Sequence, residues 1–219
     1  MKRYTFTLEE TQEIKAARKK NRDKNVEKRL AALEMRAEGK QNKEIREKTG
    51  FHTQYIMVGG QDALFRQYAP LLKTMGRTVT YCGPLGAGNT VKLANQMIVA
   101  ANIAAAAEGL MLARRNGVSP ETVFHAVRGG LAGSAVMEAK VPMMLRNDTQ
   151  PGFRIRLHIK DLKNALRAAE DSSSPAPLSS VVMQQLLAVQ EAGFSEADHS
   201  AIAKYYEALT GETLYEPDL

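Results

Sequence analysis

Cysteine is nearly missing. Cys82 stands alone among 219 residues, so no internal disulfide can form and a reducing, cytoplasmic setting is expected. The four histidines are scattered, and with a single thiol they give no metal-ligand cluster, so no bound metal is expected. No charged-then-apolar leader opens the sequence. The turn Gly-x-Gly-x-x-Gly, whose backbone amides hold a dinucleotide pyrophosphate at a helix start, is also absent. GPLGAG at 83–88 reads Gly-x-x-Gly-x-Gly, and it fails as a Walker loop because Asn89 stands where the phosphate-binding lysine would be. The adjacent Asp198 and His199 lack a nucleophile in any recognisable context, which leaves them as a helix-capping or interface feature.

What is present is ordinary globular composition, 44% apolar and 25% charged, with an uneven charge distribution. Residues 1–56 hold 15 Lys and Arg against 9 Asp and Glu, and the remainder holds 15 against 15, so the whole excess of +6 lies in the first quarter. A basic module on a neutral body suggests an acidic polymer as partner, nucleic acid first. Charge alone fits a solvated lysine-rich helix equally well.

Thr7-Leu-Glu-Glu10 has the capping-box pattern, which predicts a helix start. Val26, Leu30, Leu33 and Ala37 continue at helical spacing until Gly39, and NKEIREKTGF supplies a shorter helix closed by Gly50. HTQYI would open a third helix. Residues 13–56 thereby resemble the helix-turn-helix heads of transposases and related DNA-binding proteins. That resemblance implies DNA contact through Lys43, Arg46, His52, Gln54 and Tyr55, although the reading helix is short for the task.

Between Leu93 and Ala113 the only charged residue is Glu108, and apolar residues occupy nearly every direction around the axis. Such a helix is normally buried by its neighbours. Asn102 and Glu108 interrupt the apolar run too early for a membrane span, so no membrane partner is expected. Its length would reach into a second subunit, which suggests a dimer or tetramer. Lys92, Asn95 and Gln96 share one face near its start. Spacing alone leaves open a lysine snorkelling at a helix end. FRIRLHIKD alternates like a strand, yet LHIKDLKNALRAAED carries Leu157, Asp161, Leu162, Ala165 and Leu166 at helical intervals, and a helix is expected. Arg154, Arg156 and His158 are expected on a solvated edge, and Lys160 could form a simple ion pair.

GPLGAGNTVKLANQ, RGGLAGS, KVPMML, PGFRIRLHIKDL and DHSA occur in the order and spacing of the β-hydroxyacid dehydrogenases. RGGLAGS and DHSA are most similar to the tartronate semialdehyde (2-hydroxy-3-oxopropionate) reductase branch. The resemblance covers residues 56–219. It implies that Lys92 is the acid/base lysine, with Asn95 and Gln96 beside it to position substrate. It also implies that Lys160, Asp161 and Phe153 lie at the NAD or NADP cofactor, and that Ser134 and Gly133 meet the substrate. The residues themselves leave Ser134 equally open as a helix restart after breakers Gly129 and Gly130.

The expected fold is mainly α: an all-helical dehydrogenase C-terminal domain, a small leftover β/α piece and a basic helix-turn-helix-like segment. The expected boundaries are 1–56, 57–86 and 87–219. IMVGG, DALFRQYAPLLKTMG and TVTYCG would be the last strand, helix and strand of a nucleotide-binding domain. Severed strands expose unpaired backbone, so residues 57–82 are expected to pair across subunits, refold as helix or stay loose. With the fingerprint absent, weak or no cofactor binding is expected, and no turnover by this chain alone. The alternatives are a DNA-binding oligomer and a join of two genes without selected activity.

Overall fold

The computed structural model describes residues 5–22, 24–41, 44, 45, 48, 55–76 and 78–216, and the side chains of these except 24–26, 28 and 29. Among the described residues the fold is mainly α with one two-stranded parallel sheet, and the chain divides into two compact units, Met1–Val91 and Lys92–Leu219.

In the first unit, helix α1 (Leu8–Lys20) begins with the capping box read from the sequence. The Glu10 amide donates to the Thr7 hydroxyl at 3.1 Å, and the Thr7 amide donates to the Glu10 carboxylate at 2.8 Å. Helix α2 (Lys24–Ala37) packs beside it as a hairpin, clasped by Arg18, which donates to Glu27 and Glu34 at 2.6 Å each. Strand β1 (Tyr55–Gly59), helix α3 (Asp62–Met75) and strand β2 (Thr78–Gly83) then form one parallel β-α-β turn, with Tyr55 opposite Thr78 and Val58 opposite Tyr81.

This corrects two expectations. Residues 57–82 keep the expected strand–helix–strand order, and β1 is not left loose, because it pairs with β2 within the same chain. Tyr55 and Ile56 belong to β1 rather than to a third helix: their backbone groups are taken by the sheet ladder. Close backbone approach fixes the end of β1. A Cβ on Gly59 would lie 2.7 Å from the Pro84 carbonyl oxygen and 2.8 Å from the Gly88 amide nitrogen, and one on Gly88 would lie 2.7 Å from the Met57 carbonyl oxygen. Only glycine fits either position.

Helix α4 (Ala87–Arg115) has 29 residues, about 44 Å at ~1.5 Å per residue, and carries the second unit from Lys92 onward. It is followed by α5 (Pro120–Val127), α6 (Ala135–Leu145), α7 (Ile155–Asp171) and α8 (Pro177–Val189). A π turn (Gln190–Phe194), a 3-10 turn (His199–Ile202) and α9 (Ala203–Thr210) complete it. One face of α4, with Ala100, Ile103, Ala107 and Leu110, is buried against Val141, Ile155, Leu162, Leu186 and Ile202. Each large side chain removed from water here contributes about 1.5–3 kcal/mol. The expectation of burial on all sides is met on this face alone, since Ile98 and Leu112 are 62% and 68% exposed. α4 is also long and apolar enough to cross a membrane, and its packing in the core accounts for the apolar character of its buried face.

Candidate functional site

The second unit gathers its polar side chains where the start of α4 meets the start of α7. α7 is the helix expected here, but it begins at Ile155, two residues before the run read from Leu157, and buries Ile155, Ile159, Leu162 and Ala165 along one face. That leaves Lys160 exposed and Asp161 beside the buried stripe. On α4, Lys92 is exposed and Gln96 buried, one turn apart.

Gln96 joins the two helices. Its side-chain oxygen accepts from the Lys92 ammonium at 2.9 Å and from the Asn95 amide at 3.0 Å, while its side-chain nitrogen donates to the Asp161 carboxylate at 2.9 Å. The other Asp161 oxygen is 2.8 Å from the Lys160 ammonium. Lys92, Asn95 and Gln96, expected at the catalytic lysine, and Lys160 and Asp161, expected at the cofactor, form one set joined by hydrogen bonds and an ion pair. With the carboxylate accepting from Nε2, the amide oxygen must face Lys92, so the orientation of Gln96 is dictated at both ends.

Beneath this set lies a second group. His158, expected on a solvated edge, is 1% exposed, because the period of α7 turns it inward between Ile155 and Leu162. Its Nε2 lies 3.2 Å from the backbone carbonyl oxygen of Gln96, and its Nδ1 lies 3.0 Å from Nδ1 of His199. Phe153 sets its ring edge-on against both imidazoles, with centroids 5.6 and 5.3 Å away. Arg154 and Arg156, by contrast, are partly exposed and pair with Glu196.

Asp198 anchors the group. It is fully buried and caps the 3-10 turn by accepting from the Ser200 amide at 3.0 Å. It also accepts from the Gly152 and Phe153 amides at 2.9 Å each and from the Lys140 ammonium at 2.8 and 3.0 Å. Burial by itself would raise the pKa of this carboxyl, but Lys140 and the amides of Phe153 and Ser200 hold it down at about 2. His199 is pushed down to about 3, first by burial and then by neighbouring His158 and Lys140. Burial also lowers His158, against the opposing pull of the Gln96 carbonyl. The capping role read for Asp198 is therefore seen.

Ser134 accepts the Met137 amide at 3.0 Å and so caps α6, the helix-restart alternative. A Cβ on Gly133 would lie 2.0 Å from the Arg128 carbonyl oxygen, so this position also requires glycine. Among the described residues no hydrogen bond joins Ser134 or Gly133 to the Lys92 set. Lys43, Arg46, His52 and Gln54 lie outside the described residues, and Tyr55 is 62% exposed at the start of β1. No cluster able to hold a metal occurs among the described residues.

A family model described as "NAD-binding of NADP-dependent 3-hydroxyisobutyrate dehydrogenase" matches residues 86–206. The chain is 37% identical over 159 residues to 2-hydroxy-3-oxopropionate reductase of Escherichia coli, covering 73% of this chain and 54% of that protein. It is 33% identical over 157 residues to 2-(hydroxymethyl)glutarate dehydrogenase of Eubacterium barkeri, covering 71% and 52%. A structure of Mycobacterium tuberculosis 3-hydroxyisobutyrate dehydrogenase with L-serine superposes with a TM-score of 0.65 at 26% identity, covering 74% of this chain and 64% of that one. The chain spans about half the length of the relatives it matches.

Proposed function

The chain belongs to the β-hydroxyacid dehydrogenase family, through the segment that matches 3-hydroxyisobutyrate dehydrogenases, and from that premise we propose that it carries the proton-transfer half of an NAD(P)-dependent reductase of small hydroxy acids and semialdehydes. The observation that carries this reading is the Lys92–Gln96–Asp161 chain, which aims an exposed ammonium from a buried amide.

When bound, the nicotinamide cofactor supplies hydride to a carbonyl carbon. The residues present fit the polar end of such a group: Lys160 offers an exposed cation tethered to Asp161, and Phe153 a half-buried ring packed edge-on against His158 and His199. They offer no cradle for the pyrophosphate around Gly59 and Gly88, where the space a Cβ would take is already filled by the chain's own backbone. Lys92 stabilises the negative charge that develops on the substrate oxygen and donates the proton that makes it a hydroxyl. Gln96 fixes the ammonium, Asp161 fixes Gln96, and Asn95 completes the acceptor's coordination. Ser134 and Gly133, just ahead of α6, are assigned to the substrate side on the family resemblance, while the Ser134 hydroxyl caps the helix.

Weak cofactor binding and no turnover by this chain alone follow, because hydride transfer requires a held nicotinamide. Fusing a dinucleotide-binding domain ahead of residue 56 is expected to give reduction of 2-hydroxy-3-oxopropionate by NADH or NADPH, and Lys92→Ala is expected to abolish that rate. A restored rate indifferent to Lys92→Ala ends the reading.

The exposed face of α4 around Ile98 and Leu112 supports a homo-oligomer, a dimer or tetramer built on this helix. A second reading, favoured by exposed Lys15 and Lys19 one turn apart on α1, has the basic segment touch DNA. It requires a mobility shift that weakens with salt.

A further inference from the structure

Two imidazoles whose Nδ1 atoms lie 3.0 Å apart hold one proton between them, since two N–H groups would clash and two lone pairs would repel. The neighbours decide which ring carries it. The Gln96 backbone oxygen can only accept, so His158 Nε2, 3.2 Å away, must bear its hydrogen. A neutral His158 then presents a bare Nδ1, and His199 must donate through Nδ1–H, which leaves its own Nε2 bare. Asp198 lies 4.0 Å from that nitrogen, and its oxygens are already taken by Lys140, Gly152, Phe153 and Ser200. Among the described residues no closer acceptor draws a hydrogen to Nε2. The charged groups facing the pair are Lys92 and Asp161 from α4 and α7, Lys140 from α6, and Asp198 from the 3-10 turn. The two cations disfavour an added proton, the two carboxylates favour it, and burial of both rings decides for the neutral forms.

We propose that His158 is a positioning residue for the reductase site, a tautomer-locked strut that His199 holds from behind and that keeps the α4 turn bearing Lys92 and Gln96 in register with Asp161 on α7. The strut reaches Gln96 from below while Asp161 holds its side chain from α7, so both attachments of that residue to the second helix pass through neighbouring positions of α7. A carbonyl oxygen has two lone pairs, so the imidazole adds to the helix ladder without replacing it. The proposal rests on the proton-transfer reading for its purpose, but its geometry can be tested without cofactor.

The test is long-range nitrogen–proton NMR on the full chain labelled in its imidazoles, at pH 7. His158 is expected as the Nε2–H form, His199 as the Nδ1–H form, with a scalar coupling between the two Nδ1 atoms. His199 carrying its proton on Nε2, or either ring charged, overturns the lock. For positioning, His158→Gln, which retains a donor, is expected to leave the Gln96 side-chain amide signals near their wild-type positions. His158→Leu is expected to move them further than Leu162→Met, a buried control on the same helix. A His158→Leu shift no larger than the control overturns the positioning role. Should His158→Leu fail to fold, the wild-type tautomers still decide the lock. Titration with NADPH bears only on the proton-transfer reading, so the two can fail separately.

Discussion

Gln96 of α4 donates to Asp161 of α7 at 2.9 Å, although 65 residues separate them in sequence. The contact ties the helix that presents Lys92 to the helix that presents Lys160, so the site has one geometry only while this bond persists.

Removing the acceptor exposes the dependence. Asp161→Ala leaves the buried Gln96 amide without its partner, at an expected cost of about 1–3 kcal/mol in urea unfolding. Asp161→Asn keeps an acceptor oxygen and should cost less. Equal losses in the two variants would mean that packing, not the hydrogen bond, sets the stability at this position.

Lys140→Met strips a fully buried carboxylate of its cation. Breaking such a pair from one side typically costs about 3–5 kcal/mol. Three backbone amides still bond Asp198, so the lower end is expected. A denaturation midpoint within error of wild type would contradict this account.

Stability should fall on the acid side in two stages. The folded pKa of His199 is about 3 against an ordinary 6.5, so between those values the unfolded chain binds the extra proton. Stability is then full above about pH 6.5 and declines by roughly 1.4 kcal/mol per pH unit as pH falls towards 3. His158, lowered likewise, acts in the same direction. Asp198, held at about 2 against 3.8, adds a loss that begins below 3.8 and completes as pH passes 2. Thermal melts from pH 7 to 3 check the first stage, and His199→Phe should flatten it.

The exposed face of α4 sets a test of assembly. Light scattering of the wild-type chain should give at least twice the monomer mass, and Ile98→Glu, at a 62% exposed position, should give the monomer with melting temperature scarcely changed. A wild-type monomer would end the oligomer proposal.

Much of this was legible in residue order. Lys92, Asn95 and Gln96 at i, i+3 and i+4 had to share a helix face, and the sequence blocks around them assigned the family. The capping box at Thr7 and the helix through Lys160 followed from side-chain chemistry and period. His158 was not found, because Phe153 to His158 alternates apolar and basic residues like a strand edge and hides the stripe Ile155, Ile159, Leu162 on which the histidine lies. The signal was available in that stripe. The His158–His199 contact and the Lys140–Asp198 pair were beyond reach, since local periodicity says nothing about partners 41 and 58 residues away. The pairing of β1 with β2 lies outside local pattern as well: a strand's alternation does not say which strand lies beside it, although the helix between these two is the crossover that a parallel pair needs.

Asp198 also bears on the order in which the second unit assembles. Its donors on Lys140, Gly152 and Phe153 lie 58, 46 and 45 residues upstream, so none can reach it before the intervening helices have docked. Contacts of such long span form late along a folding route, after loop-closure entropy has been met. The carboxylate thus acts as a latch of the final stage, and weakening it should hasten escape from the native state far more than it delays arrival there.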